Sequence, residues 1–261
     1  MHELRLYFNV NEWKAEEPEL LRAISGINEK ELERIKKYHF KKHFKFTLIG
    51  RLLIRYAINE LLKIDWDEIE LCESLNNKPM LKNHDMFKNF DFNISHNGDL
   101  VCLVASLDTN VGIDTMKITN EVDVESFREQ FTSFELKQIF ENKDPILTFY
   151  RLWCLKESYT KSIGLGLNFD FNRVEFNVIS SIISEDDIIQ NTEVLVDKNK
   201  LLYTFDEQII LENHMVTVCR PGKTNEKNKF QEIKIHEIFN NLKALTAVSK
   251  DFWIEYNLKS E

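Results

Sequence analysis

The spacing of hydrophobic and polar positions changes several times along this chain, and each change marks an element. Around "LRLYFNV" (4–10) apolar and polar residues interchange with period two, which predicts a strand because successive strand side chains point to opposite faces. From about residue 28 to 62 the apolar positions recur at three- and four-residue intervals, as on a helix, and strand patterns return at "EIELC", "FDFNIS" and "LVCLVAS". The same order then repeats. "NVGIDTM" reads as a strand, residues 123 to 163 as helical segments, and "RVEFNV", "LLYTFD", "QIILE" and "HMVTVCR" as strands. This predicts an α+β protein of two similarly built, packed halves, residues 1–108 and 109–221. Beyond Pro221 the chain is polar at "GKTNEKNKF" and apolar again around "IHEIF" and "DFWIEY", so residues 222–261 are expected to form a tail that packs back on the body.

Within this pattern three stretches break the rules of an ordinary core. In "FYRLWCLKESYTKSIGLGL" (149–167), Asp144 before Pro145 is a helix start and Gly164 a stop, predicting one helix from Pro145 to about Ile163. Trp153, Glu157 and Lys161 then share a face, while Lys156 also sits among apolar neighbours. Glu157 and Lys161 are either an exposed pair contributing about 0.3–0.5 kcal/mol or part of a site, given Trp153, Leu155, Tyr159 and Ile163 beside them. In "NVGIDTMKI", Asp114 interrupts an apolar strand, which is costly unless a cation or donor compensates it or the strand edge is in water. If Asp114 and Glu157 converge, a hard divalent cation such as magnesium is the natural occupant. In "FDFNISHNGDLVCLVAS", "HNGD" is a hairpin turn that places His96 at a strand end, where it and Ser95 either meet a phosphate or are merely exposed. Being adjacent on a strand, Ser95 and His96 point apart and make a poor nucleophile and base.

The 261 residues are 43% hydrophobic and 30% charged with a net charge of -9, so the molecule as a whole repels nucleic acid. Arg34, Lys37, Lys41 and Lys45 recur at helical spacing and are expected to line one basic helical face, with Phe40, Phe44 and Leu48 on another. That face either takes an anion or is simply solvated. His39 and His43 have the spacing of a zinc helix, but Phe40 stands where its glutamate would be. The four cysteines show no CxxC pairing, "MHELRLYFNV" lacks the apolar core of a signal peptide, and no segment is apolar long enough to span a bilayer. These features predict a cytoplasmic protein that engages no membrane.

Taken in order, "FNISHNG", "VGIDTMK" and "FYRLWCLKESYTKSIGLGL", with "GRLLIRYAI", "NNKPML" and "QFTSFE", resemble the 4'-phosphopantetheinyl transferase superfamily. The likeness is greatest to the eukaryotic members that serve fatty acid synthase and aminoadipate-semialdehyde dehydrogenase. The resemblance implies two pseudo-symmetric halves, each a small, mainly antiparallel sheet packed with helices, with a coenzyme A cleft between them. It implies transfer of the 4'-phosphopantetheine arm of coenzyme A to a serine of an acyl or peptidyl carrier domain by a monomeric enzyme. The alternative is a non-catalytic scaffold that kept the fold and binds coenzyme A or carrier. By resemblance Asp114 and Glu157 hold magnesium, Glu157 is also the candidate general base, and Lys161 faces the phosphates. Arg34, Lys78, Asn93, Ser95, His96 and Ser158, with Asp114, Glu157 and Lys161, match positions that contact coenzyme A. Many relatives carry a third carboxylate where this chain has Met116, which leaves water or Asn97 to complete the metal's shell.

Overall fold

The computed structural model describes residues 2–74, 76, 78–82, 84–166, 169–179 and 187–261. Strand β1 (Glu3–Asn9) leads into helices α1 (Glu17–Ser25), α2 (Glu29–Lys36) and α3 (Lys41–Leu62). A short hairpin, β2 (Leu71–Glu73) and β3 (Pro79–Leu81), precedes a longer one, β4 (Asp91–Asn97) and β5 (Leu100–Ser106). The series begins again with β6 (Gly112–Lys117), α4 (Ser133–Glu141) and α5 (Pro145–Ser162). A small sheet of β7 (Val174–Asn177), β8 (Glu193–Val196) and β9 (Asn199–Leu201) follows, then the long hairpin β10 (Tyr203–Ile210) and β11 (His214–Pro221). Strand β12 (Gln231–Glu232) and helices α6 (Ile235–Asn241) and α7 (Asp251–Asn257) end the chain.

The two main sheets have the same plan. One is ordered β12-β1-β5-β4 and the other β10-β11-β6, so in each the opening strand pairs with the last strand of its half, which pairs with the strand before it. All of these pairings are antiparallel except that of the added strand β12, which runs parallel to β1. The molecule is thus α+β with two pseudo-symmetric halves. Each sheet carries one long helix. Phe44, Leu48, Ile49, Leu52 and Leu53 of α3 bury against Leu6, Phe8, Val101 and Leu103, and Ile235, Ile238 and Phe239 of α6 with Phe252 and Tyr256 of α7 complete that core. Leu152 and Leu155 of α5 bury with Phe176, Phe205 and Met215 in the other.

The halves meet strand to strand without forming one continuous sheet. Strands β4 and β6 run in the same direction, and alternate side chains of β4 accept hydrogen bonds from alternate amides of β6. Asp91 Oδ2 accepts from Val111 N at 3.0 Å, Asn93 Oδ1 from Ile113 N at 3.0 Å, Ser95 Oγ from Thr115 N at 3.3 Å and Asn97 Oδ1 from Lys117 N at 2.9 Å. On the other side of the interface β1 meets β10 through a buried ionic group. Arg5 contacts Glu3 and Asp206, and Arg220 contacts the same two carboxylates. Edge amides that would otherwise lack partners are satisfied by side chains.

Two expectations are corrected. The basic residues from Arg34 to Lys45 do not share one helical face, because α2 ends at Lys36 and α3 begins at Lys41. The tail causes the break: Lys259 Nζ donates to the Lys36 and Tyr38 carbonyls, and Ser260 exchanges backbone hydrogen bonds with His39 and Lys41. Lys41 is paired with Glu261, and Lys45 donates to the Trp13 carbonyl at 2.7 Å. Secondly, "LLYTFD" and "QIILE" are not two strands. Residues 203–210 form the single strand β10, whose central Glu207 is buried and neutralised by Arg151 at 2.8 Å.

Candidate active site on helix α5 and the seam

Helix α5 begins as expected, with the Asp144 side chain accepting from Leu147 N at 2.9 Å and Pro145 in the first turn. It lies directly on β6 because Gly112 has no side chain; a Cβ there would fall 2.0 Å from the Ser158 carbonyl oxygen. This contact brings Lys161 and Glu157 to Asp114, on the same face of β6 as Gly112. Asp114 is 5% exposed. Its Oδ1 accepts from Lys161 Nζ at 2.6 Å and from Ser95 Oγ at 2.9 Å, and Lys161 Nζ also lies 3.1 Å from Ser95 Oγ. The seam supplies Ser95, so the site is assembled from both halves.

Asp114 Oδ2 is buried and has no hydrogen-bond partner among the described residues. An orphaned carboxylate oxygen is costly unless a ligand completes it. Glu157 is half-buried, and burial raises the pKa of its carboxyl; Lys161 opposes the rise, and the neighbouring Asp114 charge adds to it. The two carboxylates therefore lie within electrostatic reach of each other. Together they are the oxygen donors that a hard divalent cation would take. No group of three or more His, Cys, Asp or Glu side chains with metal-holding geometry occurs among the described residues. Met116 packs into the second core, and the Asn97 amide oxygen accepts a hydrogen bond from Lys117 N at 2.9 Å.

The other nominated residues divide between seam, core and groove. Asn93 belongs to the seam, with its carbonyl oxygen bound to Ile113 N. Ser158 is fully buried and its hydroxyl donates to the Leu155 carbonyl at 3.1 Å, so it presents no group to a ligand. Lys156 is likewise buried, paired with Glu135 at 2.8 Å. His96 points away from Ser95 and stacks on Phe46, with centroids 4.8 Å apart and rings 17° from parallel. Although its edge is open to solvent, the surrounding protein and then the Lys161 and His43 charges hold its imidazole below the usual histidine pKa. Lys78 is held by Asp91 at 2.8 Å, at the start of the seam.

Arg34 lies on a groove of about 1370 Å³ lined by residues of α2, α3 and the β2–β3 hairpin, among them Lys37, Arg51 and Glu73. Arg51, within "GRLLIRYAI", is the residue the sequence pattern does not single out; only a polar break on a buried helix marks it. The hairpin reaches the second half, since Asn76 Nδ2 donates to the Gly164 carbonyl at 2.6 Å, just beyond Lys161. Asn77 of "NNKPML" and Leu167 at the end of the α5 stretch lie outside the described residues.

A paired α+β architecture with acidic and basic side chains gathered where the halves join agrees with what family comparison finds. Residues 11–108 match the model of the 4'-phosphopantetheinyl transferase N-terminal domain, and residues 110–219 match that of the 4'-phosphopantetheinyl transferase superfamily. The chain belongs to the 4'-phosphopantetheinyl transferase superfamily. Its relatives include the L-aminoadipate-semialdehyde dehydrogenase-phosphopantetheinyl transferase of Mus musculus, 32% identical over 97% of this chain and 90% of the mouse protein. The Homo sapiens protein of that name is 30% identical over the same shares, and the Saccharomyces cerevisiae one is 28% identical over 74% of this chain and 71% of its own.

Proposed function

We propose that this protein transfers the 4'-phosphopantetheine arm of coenzyme A to a serine of an apo acyl or peptidyl carrier domain, releasing adenosine 3',5'-bisphosphate. The observation that carries the reading is the meeting of Asp114, Lys161 and Ser95, with Glu157 beside them, at the junction of the halves. In the reaction the serine oxygen forms a bond to the phosphorus bearing the pantetheine arm, and the bond from that phosphorus to the bridging oxygen breaks. The serine proton needs an acceptor. Glu157, whose carboxyl is raised in pKa by burial, is our candidate for it. Lys161, oriented by Asp114 and Ser95, offers its ammonium to the diphosphate. Asp114 Oδ2 and Glu157 would hold magnesium, which when bound neutralises phosphate charge. Arg34, Lys78 and the strand carrying Asn93 and His96 border the place assigned to the nucleotide. We infer a monomer, since one chain supplies both halves of the site, and propose a cytoplasmic location.

The test is to mix the protein with coenzyme A, magnesium and an apo carrier and weigh the carrier. A gain of one phosphopantetheine is expected; its absence would leave a binding scaffold. Asp114→Ala and Glu157→Ala should each lower transfer by at least about a hundredfold, with circular dichroism unchanged, and Lys161→Ala should lower it less. Near-full activity in either carboxylate variant would overturn the assignment.

A further inference from the structure

The groove beside α2 contains an arrangement that the transfer chemistry does not use. Arg34 of α2 and Arg51 of α3 converge on a single oxygen of Glu73. Arg34 NH1 is hydrogen-bonded to Glu73 Oε1, and Arg51 NH2 lies 3.6 Å from the same atom. Arg51 is also 3.8 Å from Glu31 Oε1, an oxygen without a hydrogen-bond partner among the described residues. Two guanidiniums turned on one oxygen make an anion position, and a planar fork of donors suits a tetrahedral phosphate at least as well as a carboxylate. The occupant here comes from the protein itself, at the end of β2.

Its hold is weak. The Arg34 and Glu73 side chains are 53% and 38% exposed, so water already solvates both ends of the pair and little is lost when it opens. A phosphate monoester near neutral pH carries up to two negative charges where the Glu73 carboxylate carries one. Coenzyme A has two separate phosphate groups, the diphosphate bridge that reacts and the 3'-phosphate monoester that does not. The bridge belongs with Asp114, Glu157 and Lys161, which leaves the monoester for the arginines. The hairpin carrying Glu73 spans the two regions: Glu73 meets the arginines, and Asn76 donates to the Gly164 carbonyl just beyond Lys161.

We propose that Glu73 is an internal competitor for the 3'-phosphate: its carboxylate holds Arg34 and Arg51 in the free protein, is displaced when the donor binds, and thereby sets discrimination between donors with and without that phosphate. This rests on the coenzyme A reading given above.

The experiment is calorimetric titration of wild type, Glu73→Gln and Arg34→Gln with coenzyme A and with dephospho-coenzyme A, which differ only in the 3'-phosphate, with magnesium present and no carrier, so that no turnover occurs. Glu33→Gln is the control, because Glu33 lines the same groove but pairs with Lys36. Glu73→Gln should tighten coenzyme A by at least about threefold and leave dephospho-coenzyme A unchanged. Arg34→Gln should weaken coenzyme A toward the dephospho level, and Glu33→Gln should leave the ratio of the two affinities as it is. An unchanged ratio in Glu73→Gln, or an equal shift in Glu33→Gln, overturns the proposal. Wild type that fails to bind coenzyme A at all overturns the coenzyme A reading with it, whereas binding and transfer with an unaltered ratio removes only the role of Glu73.

Discussion

Lys156 and Glu157 are neighbours on one helix and have unrelated tasks. Lys156 is fully buried, bonded to the Phe171 and Val174 carbonyls at 2.8 and 2.7 Å and paired with Glu135. Glu135 in turn accepts from Thr132 N and Phe176 N, so the pair fastens α5 to α4 and β7. Burial pushes the Glu135 carboxyl up and the Lys156 ammonium down, each opposed by the other's charge. Removing one partner strands the other. Lys156→Met should cost about 3–5 kcal/mol in urea unfolding, and adding Glu135→Gln should recover part of it; a single-variant loss under about 1 kcal/mol would refute the structural role. At this scale the sequence was partly legible. The Thr132–Glu135 capping box follows from spacing and is present. Lys156 stood out as a charge among apolar residues, but its partner lies on another helix and no local pattern names it.

At the level of elements, the two long helices make opposite demands on the glycine at each packing contact, Gly112 of β6 beneath α5 and Gly50 within α3. A Cβ on Gly112 would meet backbone, Ser158 O at 2.0 Å and Ser162 N at 2.5 Å, and backbone cannot rotate away. On Gly50 of α3 a Cβ would meet only the flexible Ile94 Cδ1 at 3.1 Å. Gly112→Ala should therefore destabilise by about 3 kcal/mol or more, measured by urea unfolding, while Gly50→Ala should stay within about 1 kcal/mol because better helix propensity offsets the crowding. Equal effects would contradict the packing of α5 on β6. The bounds of α5 were readable from Asp144, Pro145 and Gly164. The break between α2 and α3 was not, because Lys259 and Ser260 impose it from the far end of the chain. β10 looked broken for a similar reason, since the neutralising Arg151 is distant in sequence.

For the whole molecule, the repeated order of elements disclosed the two halves but not how they join. Asp91, Asn93, Ser95 and Asn97 alternate with Phe92, Ile94 and His96, and such alternation reads equally well as a solvated strand face. Here the polar face is the seam. Its far end is closed by His214, 2% exposed, whose Nε2 accepts from Asp99 N at 3.3 Å. Burial holds the His214 imidazole down at a pKa of about 4, against the pull of Asp99 and with Lys117 and Lys42 adding to the depression. A neutral folded histidine costs nothing above its unfolded pKa of about 6.5, but below it the unfolded chain takes up a proton that the folded one refuses. Stability should fall by about 3 kcal/mol as pH drops from 6.5 to 4. In His214→Gln that part of the decline should vanish from urea midpoints; a decline equal to wild type would exclude His214 as its source.

The register of the seam between β4 and β6 is set at the turn joining β4 to β5, where Gly98 sits. Hydrogen-bond spacing alone would let β4 slide two places along β6 and keep most of its bonds, carrying Ser95 roughly 7 Å away from Asp114. The hairpin tip forbids that travel: Gly98, at φ +60°, is wedged where even a methyl group would come within 2.6 Å of the Lys117 side chain and 2.7 Å of His214. The tip acts as an end stop, so the alignment of Ser95 with Asp114 is fixed by a residue that touches neither.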